Sequence, residues 1–147
     1  MEGSDILTRM EKSIEIKAPP ERVWEMLAFD RLPEWQDGLE VMGAKYISEV
    51  RAPEDKYRVG ASAHITEKRW EYELEVTESL NNEKITHHSK GKYAYTSTYI
   101  LKPIEVGTEL TWVGDMSLGV IGGFLMKLAG EKQIGRALEK LKGILEK

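Results

Sequence analysis

The sequence predicts an α+β fold in which a curved antiparallel sheet of about six or seven strands wraps around one long C-terminal helix. From residue 39 to residue 116, apolar residues recur with a period of two between short turn segments, as in consecutive strands. From Val120 to Lys147 the period becomes helical, and a helix of this length is about 40 Å long. A sheet with one apolar face must be covered, and this helix is the only element long enough to do so.

The N-terminal segment predicts one strand followed by two short helices. Residues 13–17, SIEIK, alternate between apolar and charged, so we expect Ile14 and Ile16 to point inward. Residues 1–8 are expected either to fray or to extend the edge of the sheet. In residues 18–38, APPERVWEMLAFDRLPEWQDG, prolines favour two helix starts and Gly38 favours a helix end. We expect the apolar bulk of this stretch to close one end of the sheet.

The central strands are separated by turn signals, of which APEDK at 52–56 and LNNEK at 80–84 are examples. In WEYELEV, residues 70–76, aromatic and aliphatic side chains share one face and glutamates share the other. The facing of residues 93–101 stays open, because both sides of that strand carry apolar residues. The predicted strands cover residues 39–48, 57–66, 70–78, 85–89, 93–102 and 108–116.

The C-terminal helix carries an apolar stripe at three-and-four spacing, formed by Ile134, Leu138, Leu141 and Leu145. Gly130 and Gly135 each weaken a helix by roughly 1 kcal/mol relative to alanine. We expect them to mark either a bend or places where the sheet comes close.

Composition limits the classes of function. The length of 147 residues predicts one domain over residues 1–147. The absence of cysteine excludes disulfides, a thiolate nucleophile and a Cys-based metal site, and it fits a cytoplasmic location. A net charge of −4, with no basic stripe, argues against a nucleic-acid partner. The N-terminus lacks the apolar core of a signal peptide, and the longest apolar run is about half of the ~20 residues of a spanning helix, so no stable membrane insertion is expected. The oligomeric state stays open.

Several segments resemble the START-related (SRPBCC) superfamily, which includes the birch-pollen allergen and the polyketide cyclase/dehydrase group. They are IEIKAPPERVWEML, PEW, the VG at 59–60, ELEVTE, YILKPIEVGTELTW and LEKLKGILEK. The resemblance runs from about residue 10 to the end, and its motifs are signatures of fold rather than of catalysis. It implies a helix-grip fold with a large apolar cavity between sheet and helix for lipids, hormones, flavonoids or polyketides. Some members are cyclases or hydratases, some carry quinones and some activate a heat-shock chaperone.

The candidate ligand-binding residues are mainly aromatic. In one interpretation they line a cavity for a planar or hydrophobic molecule, with tyrosine hydroxyls as polar anchors. In the other they fill the core. The segment LGVIGGFLMKLAG at the start of the last helix is a pliable gate, a membrane-surface or partner contact, or core packing. The predicted set is Trp35, Trp70, Tyr72, Leu74, His87, Tyr95, Tyr99, Trp112, Phe124, Leu125 and Leu128.

Among the three histidines, His87 and His88 are adjacent and must point to opposite faces of a strand. By alternation His87 points inward, where it is either an acid/base group with a pKa near neutrality or a hydrogen-bonded histidine of a half-buried strand. No set of ligands has metal-site spacing, and no catalytic or cofactor motif is present, so we expect neither a metal nor a cofactor.

The sequence therefore predicts a protein that binds a small hydrophobic molecule, such as a lipid, polyketide or quinone, between the sheet and the C-terminal helix. One alternative is an enzyme of the cyclase or dehydratase type that uses His87 or a tyrosine of the same cavity. Another is a co-chaperone-like interaction module with a filled interior and an exposed apolar patch. Whether the protein is an enzyme stays open at this stage.

Overall fold

A computed structural model describes residues 6–36, 47–50, 57–66, 71–90, 95–118 and 120–147. These residues form one seven-stranded sheet, a short and a long α-helix, and a 3₁₀ turn. The elements in chain order are β1 (Ile6–Ile16), α1 (Pro20–Glu25), the 3₁₀ turn (Leu32–Glu34), β2 (Ile47–Val50), β3 (Ser62–Thr66), β4 (Glu71–Leu80), β5 (Lys84–Lys90), β6 (Tyr95–Ile104), β7 (Gly107–Leu118) and α2 (Val120–Leu145).

The strand order is β1-β7-β6-β5-β4-β3-β2, and every neighbouring pair is antiparallel. Strands β2 to β7 therefore form a meander, and β1 lies beside the last of them at one edge of an open sheet. The curved sheet with a long C-terminal helix confirms the predicted α+β, helix-grip fold. The two predicted short helices correspond to α1 and to the 3₁₀ turn.

Strand β1 begins earlier than predicted. The sequence pattern indicated a strand over residues 13–17, whereas β1 pairs with β7 from Ile6 opposite Leu118 to Ile16 opposite Thr108. Of the two expectations for the first eight residues, extension of the sheet edge is thus correct from Ile6 onward. The partner strand explains the difference, because β7 offers backbone groups over its whole length and so makes pairing favourable where side-chain alternation is weak.

Two turns also differ from the prediction. Strand β3 begins at Ser62 rather than at residue 57, because residues 57–60 form a turn in which Gly60 has φ +97°. Strands β6 and β7 continue through most of the predicted 103–107 loop and leave a turn of two residues, Glu105 and Val106. Gly107 follows with φ +150°, and a Cβ there would clash with the backbone of Ile16 and Ala18.

The predicted strand over residues 39–48 is described only from Ile47, and the part before it lies outside the described residues.

The buried face of the sheet, called the inner face below, is settled for every strand that bears on the site. In β4, Leu74 and Val76 are buried, as WEYELEV predicted. In β6, Tyr99 and Leu101 are buried while Ile100 is 39% exposed, which resolves the facing of residues 93–101. The predicted stripe of α2 is also buried, comprising Ile134, Leu138, Leu141 and Leu145.

Helix α2 packs mainly against β1, and its side chains bind the outward backbone groups of this edge strand. The carboxylate of Glu131 accepts a hydrogen bond from the Glu11 N–H at 3.3 Å, and Glu146 accepts one from the Lys17 N–H at 2.8 Å. The Lys142 ammonium donates to the Glu15 carbonyl at 2.7 Å and to Glu146 at 2.8 Å. Lys142 and the Lys17 N–H together hold the pKa of Glu146 below its usual value.

The two glycines of α2 differ in their surroundings, so the close approach expected for both exists at one of them. A Cβ on Gly130 would clash with the thioether of Met10 in β1, whereas a Cβ on Gly135 would meet nothing within 4 Å.

We expect Gly135→Ala to raise the free energy of unfolding by about 1 kcal/mol through helix propensity. Gly130→Ala is expected to lower it, because the clash outweighs the same propensity gain. Urea denaturation of both variants tests this, and a shift of the same sign in both would contradict it.

Candidate functional site

Five rings form one connected group on the inner face, called the aromatic cluster below. Trp35, directly after the 3₁₀ turn, packs edge-on against Tyr99 of β6 at 6.1 Å between ring centroids and against Trp112 of β7 at 5.6 Å. Tyr99 and Trp112 are paired neighbours on adjacent strands, 5.2 Å apart. His87 of β5 lies 5.4 Å from Tyr99 and 4.5 Å from Phe29. Trp35 and Phe29, from the stretch whose apolar bulk was expected to close one end of the sheet, thus cover this part of the inner face.

Hydrogen bonds fix two members of the aromatic cluster. The Trp35 indole N–H donates to the Met26 carbonyl oxygen at 2.9 Å, which joins the 3₁₀ turn to the end of α1. The Gln36 amide donates to the Tyr99 hydroxyl at 2.8 Å. The Trp112 Nε1 is buried and has no acceptor within the part of the chain that the structure describes.

His87 points inward, as alternation predicted, and is only 2% exposed. Its ring contacts are aromatic rather than ionic, so burial acts on the pKa without a compensating charge. Burial lowers the pKa of His87 from 6.5 to about 3, because the imidazolium would lose its hydration. Of the two interpretations of His87, an acid/base group with a pKa near neutrality does not fit this environment, and at pH 7 His87 is a neutral polar group and a weak base.

The other two histidines lie away from this cluster. His88 is half-buried on the opposite face of β5, with Nδ1 3.1 Å from the Thr96 hydroxyl. His64 is half-buried in β3, with its Nδ1 4.0 Å from a carboxylate oxygen of Glu73. Over the described ranges, no group of three or more metal-ligating side chains comes together, and the absence of a metal stays a prediction.

The remaining predicted ligand-binding residues are placed unevenly. Leu74 is buried on the inner face of β4, while Leu128 of α2 is 59% exposed and does not belong to the buried core. Trp70 lies outside the described residues. Four others belong to described strands or to α2, but their side chains lie outside the description: Tyr72, Tyr95, Phe124 and Leu125.

Sequence reasoning missed two residues of the site. Phe29 follows the end of α1 within a run of turns, where neither helical nor strand periodicity assigns a face. Gln36 is polar and lies just after the 3₁₀ turn, and only the fold brings its amide to Tyr99. The available signal was the concentration of large apolar residues between Trp24 and Trp35 in so short a stretch.

Beyond the aromatic cluster, the inner face carries small buried side chains, called the small-residue patch below. Ser97 lies opposite Gly114 of β7 on one side and opposite His87 on the other. Ser89 of β5 and Ala63 of β3 flank Leu74 in the next row. All four small residues are buried: Ala63, Ser89, Ser97 and Gly114. These side chains are smaller than the aromatic rings, and above Gly114 the ends of Met10 and Ile134 lie within contact distance of the position that a Cβ would take.

A concavity lies between the edge strand β1 and α2 and is lined by residues of both elements. It is an open groove of about 630 Å³ with an apolar floor of Ile14 and Leu138. Charged side chains of both signs rim it, and Gly135 leaves it open on the helix side.

A family model described as polyketide cyclase / dehydrase and lipid transport matches residues 8–146. The chain belongs to this family. The match extends over nearly the whole chain, which confirms the resemblance to the START-related superfamily. No curated protein matches this sequence. As for membranes, none of the helices in the described ranges combines the length and the apolar character needed to span a bilayer.

Solved structures with the same fold have little sequence in common with this family member. A protein of unknown function from Staphylococcus aureus superposes with a TM-score of 0.77 at 13% identity, covering 98% of this chain and 96% of its own. A protein from Nitrosomonas europaea gives 0.71 at 14% identity, covering 95% and 94%. DynU16, described as a putative protein in the dynemicin biosynthetic locus, gives 0.68 at 17% identity, covering 95% of this chain and 47% of DynU16. At these identities the similarity establishes the fold.

Proposed function

We propose that this protein binds a small hydrophobic molecule, lipid-, polyketide- or quinone-like, between the inner face of the sheet and α2. The observation that carries the proposal is the change of side-chain size along the inner face. The aromatic cluster provides a wall of mutually inclined rings, and the small buried side chains of the small-residue patch lie beside it. Membership of a family described by polyketide cyclases and lipid transport supports this interpretation.

The absence of charge among the buried polar side chains of the described residues favours an uncharged ligand. Among the described residues, the buried polar side chains are Thr8, His87, Ser89, Ser97 and Thr108. None of them is charged at neutral pH, since burial holds the pKa of His87 at about 3. A charged ligand would lose its hydration without gaining a counter-charge, at a cost of several kcal/mol. A hydrophobic guest instead gains roughly 25 cal/mol for each Å² of apolar surface removed from water.

The same chemistry favours binding over acid–base catalysis. A cyclase or dehydratase needs a group that exchanges protons near neutral pH. His87 and Tyr99 are the buried titratable side chains of the aromatic cluster, and the lowered pKa of His87 makes it a poor base at pH 7. It can still donate or accept a hydrogen bond, so it suits the orientation of a bound molecule better than proton abstraction.

Two measurements test the proposed function. Native mass spectrometry of the purified protein should reveal a retained small molecule, and N-phenyl-1-naphthylamine, an uncharged apolar dye, should bind saturably with enhanced fluorescence. We expect Ser97→Leu to weaken dye binding by a factor of about ten or more, equivalent to ~1.4 kcal/mol, because it fills the small-residue patch. Thr98→Leu adds similar bulk to the opposite face of β6 and is expected to leave dye binding unchanged. Equal binding by both variants, or no binding by the wild type, would contradict the proposal.

A further inference from the structure

Trp112 differs from its aromatic neighbours in its hydrogen bonding. It lies on the inner-face side of β7 between Trp35 and Tyr99, and it packs against the buried core. The Trp35 indole N–H donates to a backbone carbonyl, and the Tyr99 hydroxyl accepts from Gln36. The Trp112 indole N–H is buried without an acceptor in the described chain. Buried donors in native proteins are nearly always paired, so this one needs an explanation.

The position of the unpaired donor connects it to the proposed binding region. Trp112 belongs to the aromatic wall, and the next inner-face residue of β7 is Gly114, which belongs to the small-residue patch. An indole N–H is a donor only, so its partner must supply a lone pair. Because none of the buried polar side chains among the described residues is charged at neutral pH, a neutral acceptor oxygen fits this interior better than a carboxylate does.

We propose that the Trp112 indole N–H is the hydrogen-bond donor that orients the ligand, and that the ligand carries an uncharged acceptor oxygen such as a ketone or quinone carbonyl. This inference rests on the proposed function and narrows its ligand class. It assigns Trp112 a role in specificity that a packing residue does not have. A site built to donate a hydrogen bond discriminates strongly against an analogue that lacks the acceptor, since the buried donor is then left unpaired.

Two competitors of nearly identical shape test the assignment, 2-acetylnaphthalene and 2-isopropenylnaphthalene, in which a CH₂ group replaces the carbonyl oxygen. Each displaces N-phenyl-1-naphthylamine in a fluorescence titration. We expect the wild type to prefer the ketone by a factor of about ten, the discrimination typical of one hydrogen bond to a buried donor. Trp112→Phe should abolish that preference by weakening the ketone alone. Trp24→Phe, which removes an indole N–H from a ring that stacks on Tyr57 outside the aromatic cluster, should retain it.

The outcomes separate this inference from the proposed function. If the dye binds and the wild type takes both competitors equally, the role of Trp112 is overturned while the proposed function stands. If neither dye nor competitors bind, both are overturned. Should Trp112→Phe fail to fold, the wild type suffices, because its four tryptophans give four indole N–H resonances in a ¹⁵N-labelled sample. One indole proton should shift downfield with the ketone and not with the hydrocarbon, and the absence of such a shift would overturn the assignment.

Discussion

Replacement of Trp35 by alanine is expected to lower the free energy of unfolding by about 4 kcal/mol, the middle of the range for aromatic truncation in a core. Trp35 is fully buried, and it joins the 3₁₀ turn to two strands through its contacts with Tyr99 and Trp112. Its indole N–H also binds the Met26 carbonyl, which would be left unpaired. Since domains of this size unfold with about 5–15 kcal/mol, chemical denaturation should show a large shift of the midpoint.

The variant Trp35→Phe separates the contribution of aromatic packing from that of the hydrogen bond to Met26. It keeps an aromatic ring in the cluster but removes the hydrogen bond to Met26, so we expect a smaller loss of about 1–2 kcal/mol. Together the variants measure how firmly the N-terminal segment closes the end of the sheet. A loss below about 1 kcal/mol for Trp35→Ala would contradict the packing role, because removal of a fully buried tryptophan cannot be that mild in a close-packed interior.

Acidification from pH 7 to pH 5 is expected to remove about 2 kcal/mol of unfolding free energy through His87. In the unfolded chain this histidine has a pKa near 6.5, whereas burial in the folded protein lowers it to about 3. Between these values the unfolded state binds the extra proton, so stability rises with pH over this window. The contribution is complete above the unfolded pKa and is lost progressively, by about 1.4 kcal/mol per pH unit, as the pH falls towards 3.

His87→Phe provides the comparison, since phenylalanine fits among aromatic neighbours and does not titrate. The difference in unfolding free energy between pH 7 and pH 5 should shrink by about 2 kcal/mol in this variant. If His87→Phe and the wild type lose stability in parallel on acidification, the neutral buried imidazole is excluded.

The sequence predicts the parts of this fold that depend on side-chain periodicity. The face of β4 that carries Leu74 and Val76 and the stripe of α2 follow directly from spacing. The start of β1 and the facing of β6 do not, because each is decided by a partner element. Residues 6–12 become a strand through pairing with β7, and the packing of Trp35 and Trp112 selects the Tyr99 side of β6.

In the candidate site too, some features could be predicted from the sequence and others depend on which residues the fold brings together. His87, Tyr99, Trp35 and Trp112 were all candidate ligand-binding residues, and all four meet in the aromatic cluster, although alternation predicted the inward direction only for His87. Phe29 was not expected, because a residue in an irregular turn has no periodicity from which its facing can be inferred. The lowered pKa of His87 and the unpaired N–H of Trp112 depend on which groups surround them in space, and adjacency along the chain contains no such information.

The hydrogen bonds from side chains of α2 to the backbone of β1 have a consequence for biosynthesis. Unpaired edge strands are templates for intermolecular strand addition, and the groups of Glu11, Glu15 and Lys17 are shielded by side chains more than a hundred residues later in the chain. While the ribosome still holds residues 131–146, this edge is open to neighbouring nascent chains. Premature termination before α2 should therefore produce an insoluble product, and chaperone capture should matter most just before synthesis of the helix is complete.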